Sequence, residues 1–207
     1  MANCGAPNRS ARAAGPQHRN CFFDSCLRFV GKRWSLISFM TEPTATPHLP
    51  RLGLALRELL QRRRHGALGT LDAADGSPFV SMVPYAIDRA AGRLVLHVSG
   101  LAAHTANMAV EPRVSLLVTE ADADDAPVHD LPRATLQAIA HTPEPASPAW
   151  QSARDAYLQR FANAQPMTEL PDFRFVTLAP TGARQIAGFG SARSVQADEL
   201  LSLLRSA

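Results

Sequence analysis

Apolar positions recur in two distinct rhythms along this chain. Leu52, Ala55, Leu56, Leu59 and Leu60 follow helical spacing and predict a helix over 49–63. GALGTLD (66–72), FVSMVPYAI (79–87), LVLHVS (94–99), RVSLLVT (113–119) and ATLQAIAH (134–141) are short runs bounded by turn residues and predict five strands. Ala-Asp-Gly-Ser-Pro at 74–78 and the Ala91-Gly92 step mark tight turns between them. A short helix is expected over 102–110, stopped near Pro112, and an exposed acidic loop over 121–132. Ser147-Pro148 supplies an N-cap and a first-turn proline for a helix over 148–162. FRFVTLA (173–179) and ARQIAGFG (183–190) are expected to form a last strand pair, and 197–205 a closing helix.

Strands that follow one another through hairpins, without long helices between them, disfavour a doubly wound parallel sheet. They suggest a small antiparallel barrel, which removes open edges by curling. Pro84 lies inside the second strand. Proline cannot donate to a ladder, so that strand is an edge or is broken there.

The 207 residues suffice for one domain and a short extension. Charge divides the chain unevenly. Residues 1–40 carry six basic side chains and one acid; the rest carries 15 basic and 17 acidic side chains. The basic balance belongs to the leader, so the body lacks the basic composition that nucleic-acid binding requires. The arginine run 62–64 reads as a solvated helix end. No uncharged stretch is long and apolar enough to span a bilayer. Cys4, Cys21 and Cys26 match no strong zinc spacing and are an odd number for a disulfide framework, while the body has no cysteine, as a reducing cytoplasm allows. Residues 1–45 are expected to be a poorly ordered extension with a working start at Met40, and 46–207 the domain.

Candidate chemistry is sparse. No G-x-S-x-G elbow, H-E-x-x-H pair or phosphate-binding glycine loop is present. One segment does suit an anion. In HVSGLAAHTANM (97–108) a strand turns directly into a helix, whose first N–H groups favour phosphate. His97 and Ser99 share one side of the strand, and His104 and Asn107 one face of the helix, with Thr105 between them. The same residues also suit a capped surface helix with incidental polar groups. On the neighbouring strand, Ser81, Val83 and Tyr85 alternate with Met82 and Pro84.

The G-x-P-x-V-S-x-V-P-Y strand (76–85), the S-x-L-x-x-H-T-x-N segment (99–107) and P-R-V-S-L-L (112–117) occur in the order and spacing of a known family. The chain resembles the pyridoxamine-phosphate-oxidase-like FMN-binding split barrels, and more narrowly their haem-utilisation, HugZ-type branch. The likeness covers about 49–204. It implies a mainly β domain with flanking helices, an antiparallel split β-barrel, that forms a homodimer with FMN at the interface. By position, Ser81, Met82, Val83, Pro84 and Tyr85 would line the flavin. Ser99, His104, Thr105 and Asn107 would hold its phosphate, beside His97 and Leu101. Gln137 would approach from the fifth strand, and Arg184 and the 188–190 loop from the second subunit. Two departures qualify this. The second strand lacks the cations that family members use for phosphate, and VTLAP replaces the R-L-x-P substrate strand, so vitamin B6 oxidation is disfavoured. Haem-degrading members bind iron through a histidine in a C-terminal tail; here the last histidine is His141. The expectation is an FMN-dependent oxidoreductase of unassigned substrate, in the cytoplasm, with no metal ion, nucleic acid or membrane as partner. Haem binding through His65, His97, His104, His129 or His141 is the alternative, and a non-catalytic dimer the third reading.

Overall fold

The computed structural model describes residues 49–124 and 127–207. The expected extension and the start at Met40 lie outside them. Helix α1 (Leu49–Arg62) turns Leu56, Leu59 and Leu60 into the core and leaves Arg62 in its last turn, where a cation suits the helix dipole.

Strands β1 (His65–Leu71) and β2 (Pro78–Pro84) form an antiparallel hairpin, with Ala67 opposite Met82. After one residue, Tyr85, the chain resumes as β3 (Ala86–Asp88), which pairs with β4 (Arg93–Ser99). Helix α2 (Ala103–Val110) leads to β5 (Arg113–Thr119) and then to β6 (Arg133–His141), after a short 3-10 turn at Val128–Asp130. Helix α3 (Pro148–Arg160) and a 3-10 stretch (Ala162–Glu169) precede β7 (Phe173–Ile186), β8 (Ala192–Gln196) and α4 (Ala197–Arg205).

The strand order is β2-β1-β5-β6-β7-β4-β3, with β8 on β7. Sequence-adjacent β2 and β3 thus stand at opposite ends of the path, joined only by Tyr85, and the sheet must curl for one residue to connect them. This is the small antiparallel barrel expected from the strand pattern, in the split form that the resemblance implied. The break falls at Pro84, where no N–H is available to continue the ladder. Tyr85 fixes the corner: it is fully buried, its N–H donates to Arg64 O (3.1 Å) and its hydroxyl to Leu60 O (2.8 Å). Burial raises its phenol pKa well above the usual value, so it stays neutral.

The barrel interior is filled by alternate residues of each strand, among them Leu68, Val83, Leu96, Leu116, Leu136 and Leu178. Each fully buried leucine contributes about 1.5–3 kcal/mol. A second, aromatic cluster forms where α3 covers β3, β4 and β7, with Tyr157, Phe161 and Phe175. Ser147 caps α3 as expected, its Oγ accepting from Trp150 N–H (3.2 Å).

The expected strand pair 173–179 and 183–190 is instead one long strand, β7. Its first half pairs with β4 and its second with β8, while β6 runs beside it from Thr177 to Ile186, with a register shift at Gln137/Ala138. Thr181-Gly182 is passed within that irregular stretch and not at a turn. The chain reverses at Gly188 and Gly190, whose φ values of 137° and 73° lie where side chains are rarely tolerated.

Candidate functional site

At the bend between β4 and α2 the predicted phosphate donors are largely committed to the fold. Thr105 Oγ1 donates to Ser99 O (2.7 Å), closing the first turn of α2 onto the strand end. Asn107 is buried; its amide donates to Thr70 Oγ1 (3.0 Å) and its carbonyl accepts from Ala73 N–H (2.9 Å). It fastens α2 to the β1–β2 hairpin. Ser99 Oγ donates to the Asp172 carboxylate (3.0 Å) and accepts from Leu101 N–H (3.1 Å). Gly100 N–H donates to Asp172 O, and a Cβ at Gly100 would come within 2.3 Å of Arg174 Nη2 and 2.9 Å of Asp172 O. Ser99, Thr105, Asn107 and the Gly100 N–H are therefore partnered within the chain, and the bend carries both the Asp172 carboxylate and the Arg174 guanidinium. Leu101 is 89% exposed, outside this network.

His104 is the exception. Its Nδ1 lies 3.1 Å from Ser81 Oγ, which brings together two predicted site residues from β2 and α2. Its Nε2 is buried without a hydrogen-bond partner. Burial holds its pKa below the usual 6.5. His97 is buried between Tyr157, Phe173 and Phe175, with ring centroids 4.7–5.5 Å away, and its pKa is likewise lowered by burial. It belongs to the aromatic cluster.

On β2 the predicted flavin wall separates into two faces. Val83 and Tyr85 point into the core, so only their main chain is available to a ligand. Met82 (68% exposed) and Pro84 point outward, as does Val80 (67% exposed). With Leu71 and Ile139 they give the outer face of the barrel an apolar character. Exposed apolar residues grouped on one face mark an interaction surface. A groove of about 510 Å³ crosses this face; Leu71, Val80, Ser115, Gln137, Ile139 and Arg113 are among its lining residues. Gln137 is thus the one predicted residue within the groove. Arg113 is exposed and held by Glu111, which accepts from its Nε (2.9 Å) and Nη2 (2.7 Å). Sequence reading missed Asp172, Arg113 and Val80. Asp172 lies in the turn just before β7, where nothing local indicates its partner Ser99, 73 positions earlier.

No group of three or more histidine, cysteine or acidic residues able to hold a metal ion exists among the described residues. None of the described helices is long and apolar enough to cross a membrane.

The family model described as pyridoxamine 5'-phosphate oxidase matches residues 53–187. The haem oxygenase HutZ of Vibrio cholerae is 30% identical over 155 residues, which is 74% of this chain and 86% of that protein. A haem-binding protein from Mycobacterium smegmatis matches in structure with a TM-score of 0.66 and 28% identity, over 73% of this chain and 60% of that one. This chain therefore spans about 60% of the mycobacterial protein's length. The crystal structure of Vibrio cholerae HutZ, described there as a haem storage protein, gives a TM-score of 0.58 at 28% identity, over 64% of this chain and 92% of that one.

Proposed function

The chain belongs to the pyridoxamine 5'-phosphate oxidase family, and from that premise we propose that it is a haem-binding member of the haem-utilisation branch. The observation that carries this reading is the contrast between its two candidate surfaces. At the bend that a flavin phosphate would occupy, Ser99, Thr105 and Asn107 already bond within the chain and Asp172 sets a carboxylate beside the Arg174 guanidinium. The outer face is open and apolar, and Arg113 stands in the groove that crosses it.

A tetrapyrrole is a flat apolar plate with carboxylates on one side. Leu71, Val80 and Ile139 suit the plate, and Arg113 Nη1, the guanidinium nitrogen that Glu111 leaves without a partner, suits a carboxylate. Bound haem would supply iron for oxygen or electron chemistry, with the groove residues holding the plate and its carboxylates and none of them a histidine, cysteine, methionine or tyrosine to ligate the iron. The chain's own residues supply apolar contact, exclude water from one face of the plate and orient it through Arg113. A groove on a single copy is open on its far side. We place a second copy of the chain over that face, so that the exposed Val80 and Met82 are covered in a homodimer. Cytoplasmic residence is part of the reading, since no cysteine follows Cys26. The similarity to relatives described as a haem oxygenase, a haem storage protein and a haem-binding protein supports it.

FMN is the second reading. The observation in its favour is His104, whose Nδ1 meets Ser81 Oγ and whose Nε2 is buried without a partner. Absorbance titrations with haem and with FMN separate the two. Haem binding predicts a saturable Soret shift and FMN that is lost on desalting. A protein that retains FMN and gives no Soret shift reverses the assignment.

A further inference from the structure

A second cavity, of about 440 Å³, lies away from both surfaces described above. It is lined by Gln61 at the end of α1, Ile87 on β3, Arg89 in the turn that follows, and Ala156, Gln159 and Arg160 on α3. Positions 156, 159 and 160 fall on one helical face, so α3 presents them together. The cavity shares no residue with the outer groove.

Both charged side chains that line it, Arg89 and Arg160, are cations. The ion pairs among the described residues join Arg62 and Arg63 to Glu120, Arg113 to Glu111, and Arg193 to Glu199. Neither Arg89 nor Arg160 is in one. The nearby Asp88 carboxylate is already used: it accepts from Ala91 N–H (3.0 Å) and from Ser152 Oγ (2.7 Å). Tyr85, whose ring lies 5.3 Å from the Arg160 guanidinium, is neutral. Arg64 adds positive charge, and burial together with that charge lowers the Arg160 pKa.

Arg160 is also held in position. Its Nη2 donates to Gln61 O (2.8 Å) and to Arg63 O, and its guanidinium carbon stands over the Tyr85 ring. Capping the end of α1 occupies that single nitrogen. Its Nε is shut off from solvent, and Nη1 is the nitrogen left without a protein partner to face a ligand. A half-buried cation costs stability unless an opposite charge or further hydrogen bonds satisfy it. A second arginine and two glutamine amides at the same cavity are the donor set that an oxyanion would satisfy.

We propose that this cavity is a binding site for the oxyanion of a small organic ligand, a phosphate or carboxylate group. Arg160 and Arg89 supply guanidinium donors, Gln61 and Gln159 supply amide donors, and Ile87 and Ala156 contact the ligand's apolar part.

Isothermal titration of the full chain at low ionic strength, with pyrophosphate, inorganic phosphate and succinate as separate probes, tests this. The expected result is saturable one-to-one binding of at least one probe, with a dissociation constant at or below about 1 mM. Pyrophosphate or phosphate alone assigns the phosphate class, and succinate alone the carboxylate class. Arg89 is exposed, so Arg89→Gln keeps the thermal midpoint of the free protein and weakens binding about tenfold or more. Arg205→Gln, an exposed arginine on α4, leaves the affinity unchanged. Absence of saturable binding by all three probes, or unchanged affinity in Arg89→Gln, overturns the proposal. Either result leaves the haem reading untouched, because the two sites have no residue in common.

Discussion

Ser81 Oγ and His104 Nδ1 lie 3.1 Å apart, and this contact ties the edge strand β2 directly to helix α2. β2 is paired on one side only, by β1, so a side-chain tie to the helix gives it support that the ladder does not. Ser81→Ala leaves both ring nitrogens of His104 without a protein partner. It is expected to cost about 1–2 kcal/mol, read as a lower urea midpoint with an unchanged slope.

Asn107 joins α2 to the hairpin between β1 and β2 through Thr70 and Ala73. Asn107→Ala takes the donor away from the buried Thr70 hydroxyl and the acceptor away from the Ala73 N–H, and opens space in a buried site. The expected loss is about 2–3 kcal/mol in the same denaturation experiment, larger than for Ser81→Ala. Equal losses for the two variants would mean that Asn107 is not the main fastening of α2.

His97 and His104 both have folded-state pKa values pushed below 6.5 by burial. In the window between those lowered values and 6.5 the unfolded chain binds more protons than the folded one, so stability rises with pH. The histidine contribution is fully present above about pH 6.5 and is lost as the pH falls through the window. His97→Phe replaces an imidazole that already sits among Phe173, Phe175 and Tyr157 with a ring that does not titrate. Urea midpoints followed between about pH 5 and 7.5 should rise more shallowly in His97→Phe than in the parent.

At Gly100 the chain passes closer to Asp172 and Arg174 than any side chain allows. Gly100→Ala forces the Arg174 guanidinium aside and crowds the Asp172 carbonyl. A loss of about 1–3 kcal/mol is expected, measured as a lower thermal midpoint. A neutral substitution would mean that the bend is more open than described and would revive it as a phosphate site.

The barrel was legible wherever apolar alternation is strong. RVSLLVT and ATLQAIAH sit at β5 and β6 nearly as read, with Val114, Leu116, Leu136 and Ala138 inward. The last strands were not. Pro180, Thr181 and Gly182 have the composition of a turn, yet the ladder carries them within β7 beside a register shift in β6, and ARSVQ is too short and polar to announce β8. At the bend, His104 and Asn107 do lie on one helix, but spacing does not disclose that Asn107 is bound to Thr70, nor that Ser99 meets Asp172. These are tertiary contacts between segments far apart in the chain. Which face of β2 is buried depends on the curl of the sheet. The alternation separates Ser81, Val83 and Tyr85 from Met82 and Pro84, but only the closed barrel shows that Val83 and Tyr85 are core and that Met82 is outside.

Met82 offers the sharpest test of the central claim, that the outer face of the barrel holds haem between two copies. The side chain is exposed in the single chain, so Met82→Asp is expected to change its stability by no more than about 0.5 kcal/mol. A buried carboxylate on an apolar face is costly, so the same variant should sediment as a monomer and bind haem at least about tenfold more weakly. The deciding measurement is a Soret titration of parent and variant side by side: a saturable shift in the parent that is weakened in Met82→Asp is predicted, and identical curves, or no shift in the parent, would contradict the account.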